Sequence, residues 1–208
     1  MENIKIAIAD RAAYLNPQRV AEALTLVGSA FGENEVKRIN GINNEKARAA
    51  SLGGLMALLT LVGERGGVIC RGENGKPYFN DTSCGYFSIS HSGALSVAAY
   101  GTCELGVDVE LIDNTRDYDR IAKRFFTERE LKRFEQGGAD AECFFEIWTE
   151  KEAYIKYLGG SFAALCSSDS EGVSFKRFFF ERDGGKYIIT LCLASDSKAE
   201  QDISLAVL

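Results

Sequence analysis

The chain has 208 residues, 46% of them hydrophobic and 26% charged, with a formal net charge of −6. That balance excludes a disordered polymer and leaves room for one large core or two small ones. The acidic sign argues against general binding of nucleic acid. No apolar stretch is long enough to cross a bilayer, and MENIKIAIAD lacks the basic-then-apolar pattern of a leader.

Residues 3 to 9, NIKIAIA, alternate around Ile4, Ile6 and Ile8 and predict a strand. Asn16-Pro17 reads as an N-cap followed by proline in the first turn, opening a helix to about Val27. Asn44 caps a longer helix over 45–64, apolar nearly all round in its C-terminal half and ended by Gly66-Gly67. GVICR, the turn GENG and KPYF follow as short extended pieces. YFSISH and ALSVAAYG flank a hairpin turn at Ser92-Gly93, and ELGVDVELI is the next strand.

After Asp113 the pattern becomes charged and helical. Thr127 with Glu130 forms a capping box ahead of ERELKRFEQ, which Gly137-Gly138 breaks. A longer helix runs from Asp140 to Leu158 and stops at Gly159-Gly160. VSFKRFFFE and YIITLCLA make a hairpin around RDGGK, and DISLAVL is a last strand. The fold class expected is therefore α+β, in two similar halves. The boundaries expected are residues 1–103 and 104–208, with IAIAD and GVDVE in equivalent positions.

The six cysteines, Cys70, Cys84, Cys103, Cys143, Cys166 and Cys192, are scattered without a C-x-x-C pair. That speaks against a zinc or redox motif and for small buried residues in a cytoplasmic protein with reduced thiols.

GVDVE raises the sharpest question. In a strand Asp108 and Glu110 point to one face and Val107 and Val109 to the other. Two aligned carboxylates repel unless solvent, a basic partner or a metal ion compensates them. WTEKEAYIK puts Glu152 and Lys156 on one face of a helix, one turn after Trp148. Asp108, Glu110 and Glu152 together are an ordinary oxygen-ligand set for Mg²⁺; taken alone they are equally solvated carboxylates at a sheet edge. His91, the one histidine, ends the strand FSISHSG, where packing or turn chemistry is the commoner role. Ser90 and Ser92 beside it lack a G-x-S-x-G elbow, so serine hydrolase chemistry is discounted. Pro77 holds Lys76 extended. Lys37, Arg38, Lys46 and Arg48 form a basic cluster that reads as a phosphate site or as a solvated face.

GKPYF, FSISHSG, GVDVE and WTEKEAYIK, in that order and at those separations, resemble the phosphopantetheinyl transferase superfamily in its larger, two-half (Sfp-like) class. FFTERELKRF adds to the likeness. The resemblance implies a cleft between two α+β halves, and transfer of 4′-phosphopantetheine from coenzyme A to a serine of an apo acyl or peptidyl carrier protein. Adenosine 3′,5′-bisphosphate would leave. It implies Mg²⁺ on Asp108, Glu110 and Glu152, with Glu152 as base for the carrier serine. Lys156 would contact the α-phosphate, His91 the 3′-phosphate with Ser90 nearby, Lys76 the adenosine end, and Arg48 the 3′-phosphate from the first-half helix. Asp108, Glu152 and Lys156 are thus the expected catalytic residues. Coenzyme A and a carrier protein are the expected partners, with no nucleic acid and no membrane, and the chain is expected to act as a monomer. Arg120, Lys123, Arg124, Arg129, Lys132 and Arg133 are candidates for a carrier-facing patch, or else a mixed-charge surface. Two other readings stay open: a Mg²⁺-dependent nucleotide pyrophosphate hydrolase, and a non-catalytic module that binds coenzyme A or a carrier protein.

Overall fold

The computed structural model describes residues 4–160, 170–197 and 203–208, so Cys166 lies outside the described residues. The first strand, β1 (Ile4–Asp10), is followed by three helices: α1 (Pro17–Phe31), α2 (Glu33–Asn40) and α3 (Glu45–Val62). Two short strands, β2 (Ile69–Arg71) and β3 (Pro77–Phe79), form a small separate ribbon. The hairpin β4 (Tyr86–Ser92) and β5 (Leu95–Gly101) completes this part, and its two-residue turn is Gly93-Ala94, one position beyond the one expected. The second part repeats the plan: β6 (Leu105–Leu111), then α4 (Tyr118–Phe125), α5 (Glu128–Gln136) and α6 (Ala141–Leu158), then the hairpin β7 (Val173–Arg182) and β8 (Gly185–Ala194).

In both parts the opening strand pairs antiparallel with the second strand of the later hairpin, giving the orders β4-β5-β1 and β7-β8-β6. One long helix lies across each sheet, α3 on β5 and β1, and α6 on β6 and β8. The alternation in β1 explains how the layers stack. Ile4, Ile6 and Ile8 join Val107, Val109, Ile189 and Leu191 in a core between the two sheets, while the smaller Ala7 and Ala9 face α1 and α3. A third core packs Phe126, Phe134, Phe144 and Phe145 of the second helical layer against Ile188. The order is helices, sheet, sheet, helices.

Several local expectations need correction. The last strand, β9 (Ile203–Val207), lies not with the second sheet but parallel to β1 at the edge of the first. Helix α1 runs a turn beyond Val27, to Phe31. Helix α3 ends at Gly63, whose φ of +53° suits glycine, before Gly66 is reached. Helix α2 was not expected: its cap, Gly32, offers no side chain, and its remaining signals are Glu33 and Glu35 in the first turn and Lys37 and Arg38 in the last. Among the described cysteines only Cys192 is fully buried; Cys70, Cys84, Cys103 and Cys143 are half-buried. No helix among the described residues is long and apolar enough to cross a membrane.

Candidate active site

Glycine at 106 brings the second long helix down onto β6. A Cβ there would run into the Ala153 carbonyl and the Tyr157 backbone, so only glycine permits this approach. The close packing carries the C-terminal turns of α6 over Asp108. Lys156 Nζ lies 2.6 Å from Asp108 Oδ1 and 2.7 Å from Ser90 Oγ, and Ser90 donates to the same Asp108 oxygen at 2.7 Å. Lysine, serine and aspartate, from α6, β4 and β6, thus meet at one point of the seam between the two sheets. Asp108 is 3% exposed.

The other two expected carboxylates stand around this point. Burial, then the Asp108 charge, raises Glu110 from its ordinary 4.5 to about 7, against a hydrogen bond from Ser92 that lowers it. Glu152 is also raised, by burial first and the Asp108 charge second, with Lys156 pulling the other way. The Asp108 charge thus disfavours ionisation of Glu110 and Glu152, and Lys156 compensates part of that effect. Asp108 Oδ2 is buried without a hydrogen-bond partner among the described residues. As placed, no three His, Cys, Asp or Glu side chains among the described residues gather closely enough to hold a metal ion. An orphaned buried carboxylate oxygen beside two carboxyls that resist ionisation nevertheless fits a divalent cation, which would satisfy the first and relieve the second.

The remaining expected site residues each have their own setting. Alternation along β4 sends Ser88, Ser90 and Ser92 towards β6 and Phe87, Ile89 and His91 to the helix side. His91 is an exposed residue. Neighbouring protein still desolvates its imidazole, and the Lys156 and Arg11 cations add to that effect, so it is held below its ordinary 6.5. Arg11 is a basic neighbour that the sequence did not single out. Lys76 is engaged away from the cluster: its ammonium bonds Glu104 and the Tyr157 carbonyl, both at 2.8 Å, at the C-terminal end of α6. Asn74 on the same turn donates to the Gly159 carbonyl at 3.0 Å. Arg48, half-buried in α3, forms no side-chain bond to the described residues.

Two supporting pairs were not foreseen. Lys151, next to Glu152, is buried and bonds Glu130, the same residue that closes the capping box with Thr127. Arg133, a candidate above for the carrier-facing patch, is exposed and also bonds Glu150, which Arg177 reaches as well. A cavity of about 740 Å³ opens beside Glu110, with Tyr118, Phe144, Phe145 and Trp148 on its wall and the loop Asp113–Arg116 on its rim. The sequence analysis did not single out these aromatic residues as the wall of a cavity.

A family model described as the 4′-phosphopantetheinyl transferase superfamily matches residues 104–207. The 4′-phosphopantetheinyl transferase HetI of Nostoc sp. is 39% identical over 99 residues, which is 45% of this chain and 42% of that protein. The 4′-phosphopantetheinyl transferase AcpT of Salmonella typhimurium is 38% identical over 107 residues, 48% of this chain and 53% of its own length. For the 4′-phosphopantetheinyl transferase Sfp of Bacillus subtilis the figures are 34% over 90 residues, 42% and 39%. The chain spans about half or less of the length of these curated relatives.

Proposed function

The chain belongs to the 4′-phosphopantetheinyl transferase superfamily, and from that premise we propose that it moves the 4′-phosphopantetheine arm of coenzyme A onto a serine of an apo acyl or peptidyl carrier protein. The observation that carries this reading is the meeting of Lys156, Ser90 and Asp108 at the seam, with Glu110 and Glu152 beside them. Phosphoryl transfer to a hydroxyl is chiefly positioning and charge stabilisation, and this is a rigid, charged and partly dry place to do both.

Asp108, Glu110 and Glu152 would hold Mg²⁺, which supplies charge neutralisation for the pyrophosphate when bound. Glu152, whose raised pKa reflects a reluctance to stay ionised, takes the proton of the carrier serine. The serine oxygen forms the new bond to phosphorus. The bond from that phosphorus to the bridging pyrophosphate oxygen breaks, and adenosine 3′,5′-bisphosphate leaves. Lys156 stands one turn from Glu152 and offers its ammonium to the charge that develops on that leaving group. His91 lies below its ordinary pKa and gains a proton as it meets the 3′-phosphate, with Arg48 contributing from α3. The cavity beside Glu110 gives the pantetheine arm an apolar wall close to the reacting phosphorus. Because the cluster draws on both halves of one chain, a monomer in the cytoplasm is a sufficient working unit.

Intact-mass measurement of an apo carrier protein, incubated with the chain, coenzyme A and Mg²⁺, tests the proposal. A mass gain of one phosphopantetheine that EDTA abolishes is the expected result. Free phosphopantetheine without a carrier gain would replace the reading by the pyrophosphate hydrolase. Coenzyme A bound with no product from fatty-acid, polyketide or peptide carriers would replace it by the binding module.

A further inference from the structure

Strand β4 meets β6 through alternate serines of one face. Ser88 Oγ accepts the Val107 N–H at 3.1 Å. Ser90 Oγ donates to Asp108 Oδ1 at 2.7 Å. Ser92 Oγ accepts the Leu111 N–H at 3.2 Å and donates to Glu110 Oε2 at 2.6 Å. A hydroxyl has one donor and two acceptor positions, so it can take an N–H from an exposed strand edge and still give its proton to a carboxylate. Two of the three hydroxyls end on the two carboxylates of GVDVE, and each ties down one oxygen. The other oxygen of Asp108 is buried and has no partner among the described residues. A carboxylate tied at one oxygen cannot spin freely about its last torsion, so its second oxygen faces a set direction.

We infer that Ser90 and Ser92 are positioning residues of a divalent-cation site, contributed by the first half to carboxylates of the second. They hold Asp108 and Glu110 in the rotation that presents one oxygen of each to the cation. The inference rests on the Mg²⁺ reading given above and adds residues outside the expected ligand set. It also gives Ser90 a different task from the phosphate neighbour that the resemblance implies, since its hydroxyl is shared between Asp108 and Lys156. Ser88 is an internal comparison. It lies on the same strand and face and bridges the same seam, but it ends on a backbone N–H and touches no carboxylate.

The test is Mn²⁺ binding followed by electron paramagnetic resonance, with and without coenzyme A, and needs no turnover. Ser92→Ala and Ser90→Ala should each weaken Mn²⁺ about tenfold or more. Ser88→Ala should bind as the parent does, although it loses a bond across the same seam. If Ser92→Ala is too unstable to assay, the pair Ser92→Thr and Ser92→Val settles the matter, because they share a shape and differ by the hydroxyl; only threonine should retain affinity. Unchanged affinity in Ser90→Ala and Ser92→Ala would overturn the inference while leaving the Mg²⁺ reading intact. Equal losses in Ser88→Ala would reduce the serines to structural seam residues and overturn it as well. A parent protein that binds no Mn²⁺ under either condition would instead bring down the Mg²⁺ reading and the inference with it.

Discussion

Lys156 reaches from α6 to Asp108 on β6, 2.6 Å from Nζ to Oδ1, and the lysine is the more exposed partner, 28% against 4% for the aspartate side chain. The contact is therefore an ion pair with one end in the core and one near water. Removing the lysine strands a buried carboxylate, which is costlier than losing a surface pair. Lys156→Met should lower stability by about 2 kcal/mol and carrier modification by about 100-fold. Urea denaturation and the intact-mass assay measure the two effects. Activity within threefold of the parent would remove Lys156 from the transfer step.

Gly106→Ala should cost about 3 kcal/mol, the upper end of what overpacking does, because the clash is with backbone rather than with a mobile side chain. The Cβ has to push α6 off β6, so transfer activity should fall with stability even though no charged group has changed. A fully stable, fully active Gly106→Ala protein would show that the helix is free to shift without moving Glu152 and Lys156.

Glu110 makes stability depend on pH with a definite sign. Its folded pKa of about 7 exceeds its ordinary 4.5, so the folded protein holds this proton more tightly than the unfolded chain. Below the lower value both states are protonated and the group contributes nothing. Between the two values the unfolded chain ionises first, and stability falls as pH rises; above about 7 the whole cost remains. That cost is at most about 3 kcal/mol. In thermal melts with EDTA from pH 5 to 8, Glu110→Gln should gain on the parent as pH rises. A difference that stays constant over this range would contradict the shifted pKa.

Lys76 distinguishes a clamp from a ligand contact. Its bonds to the Tyr157 carbonyl and Glu104 fix the end of the helix that carries Lys156. Lys76→Met should therefore lower kcat several-fold and the melting temperature by a few degrees. A contact to the adenosine end alone would raise KM for coenzyme A and leave kcat and the melt unchanged. Steady-state kinetics over coenzyme A concentration separates the two.

The elements, and which charged residues share a face, were legible because they rest on local signals; the meeting of Ser90, Asp108 and Lys156 joins three distant segments. Asn16, Asn44, Asp140 and the Thr127–Glu130 box all cap helices as their residue types predict. The face shared by Asp108 and Glu110 follows from strand alternation, and that shared by Glu152 and Lys156 from helical spacing. What stayed hidden depends on distant chain meeting distant chain. Nothing near Ser92 announces that its partner is Glu110, eighteen positions away in another sheet. Nothing near Lys76 announces its bond to a carbonyl of α6, 81 positions later. The place of β9 was invisible for the same reason: its alternating ISLAV fits either sheet, and only packing chooses.

The pairing of β9 with β1 has a bearing on how the protein is made. Residues 203–207 are the neighbours of residues 4–8, so the first sheet cannot be finished until residue 207 has been synthesised. Until then one side of β1 offers unpaired backbone groups, a template on which another nascent molecule can add a strand. Cutting the gene near residue 103 would give two pieces of unequal fitness, the earlier one open-edged and the later one carrying a strand with nothing to pair with. A split version that reassembles would do better with 203–207 moved ahead of residue 4, where a crossover of about a dozen residues or more would let the same strand close the edge in its parallel register.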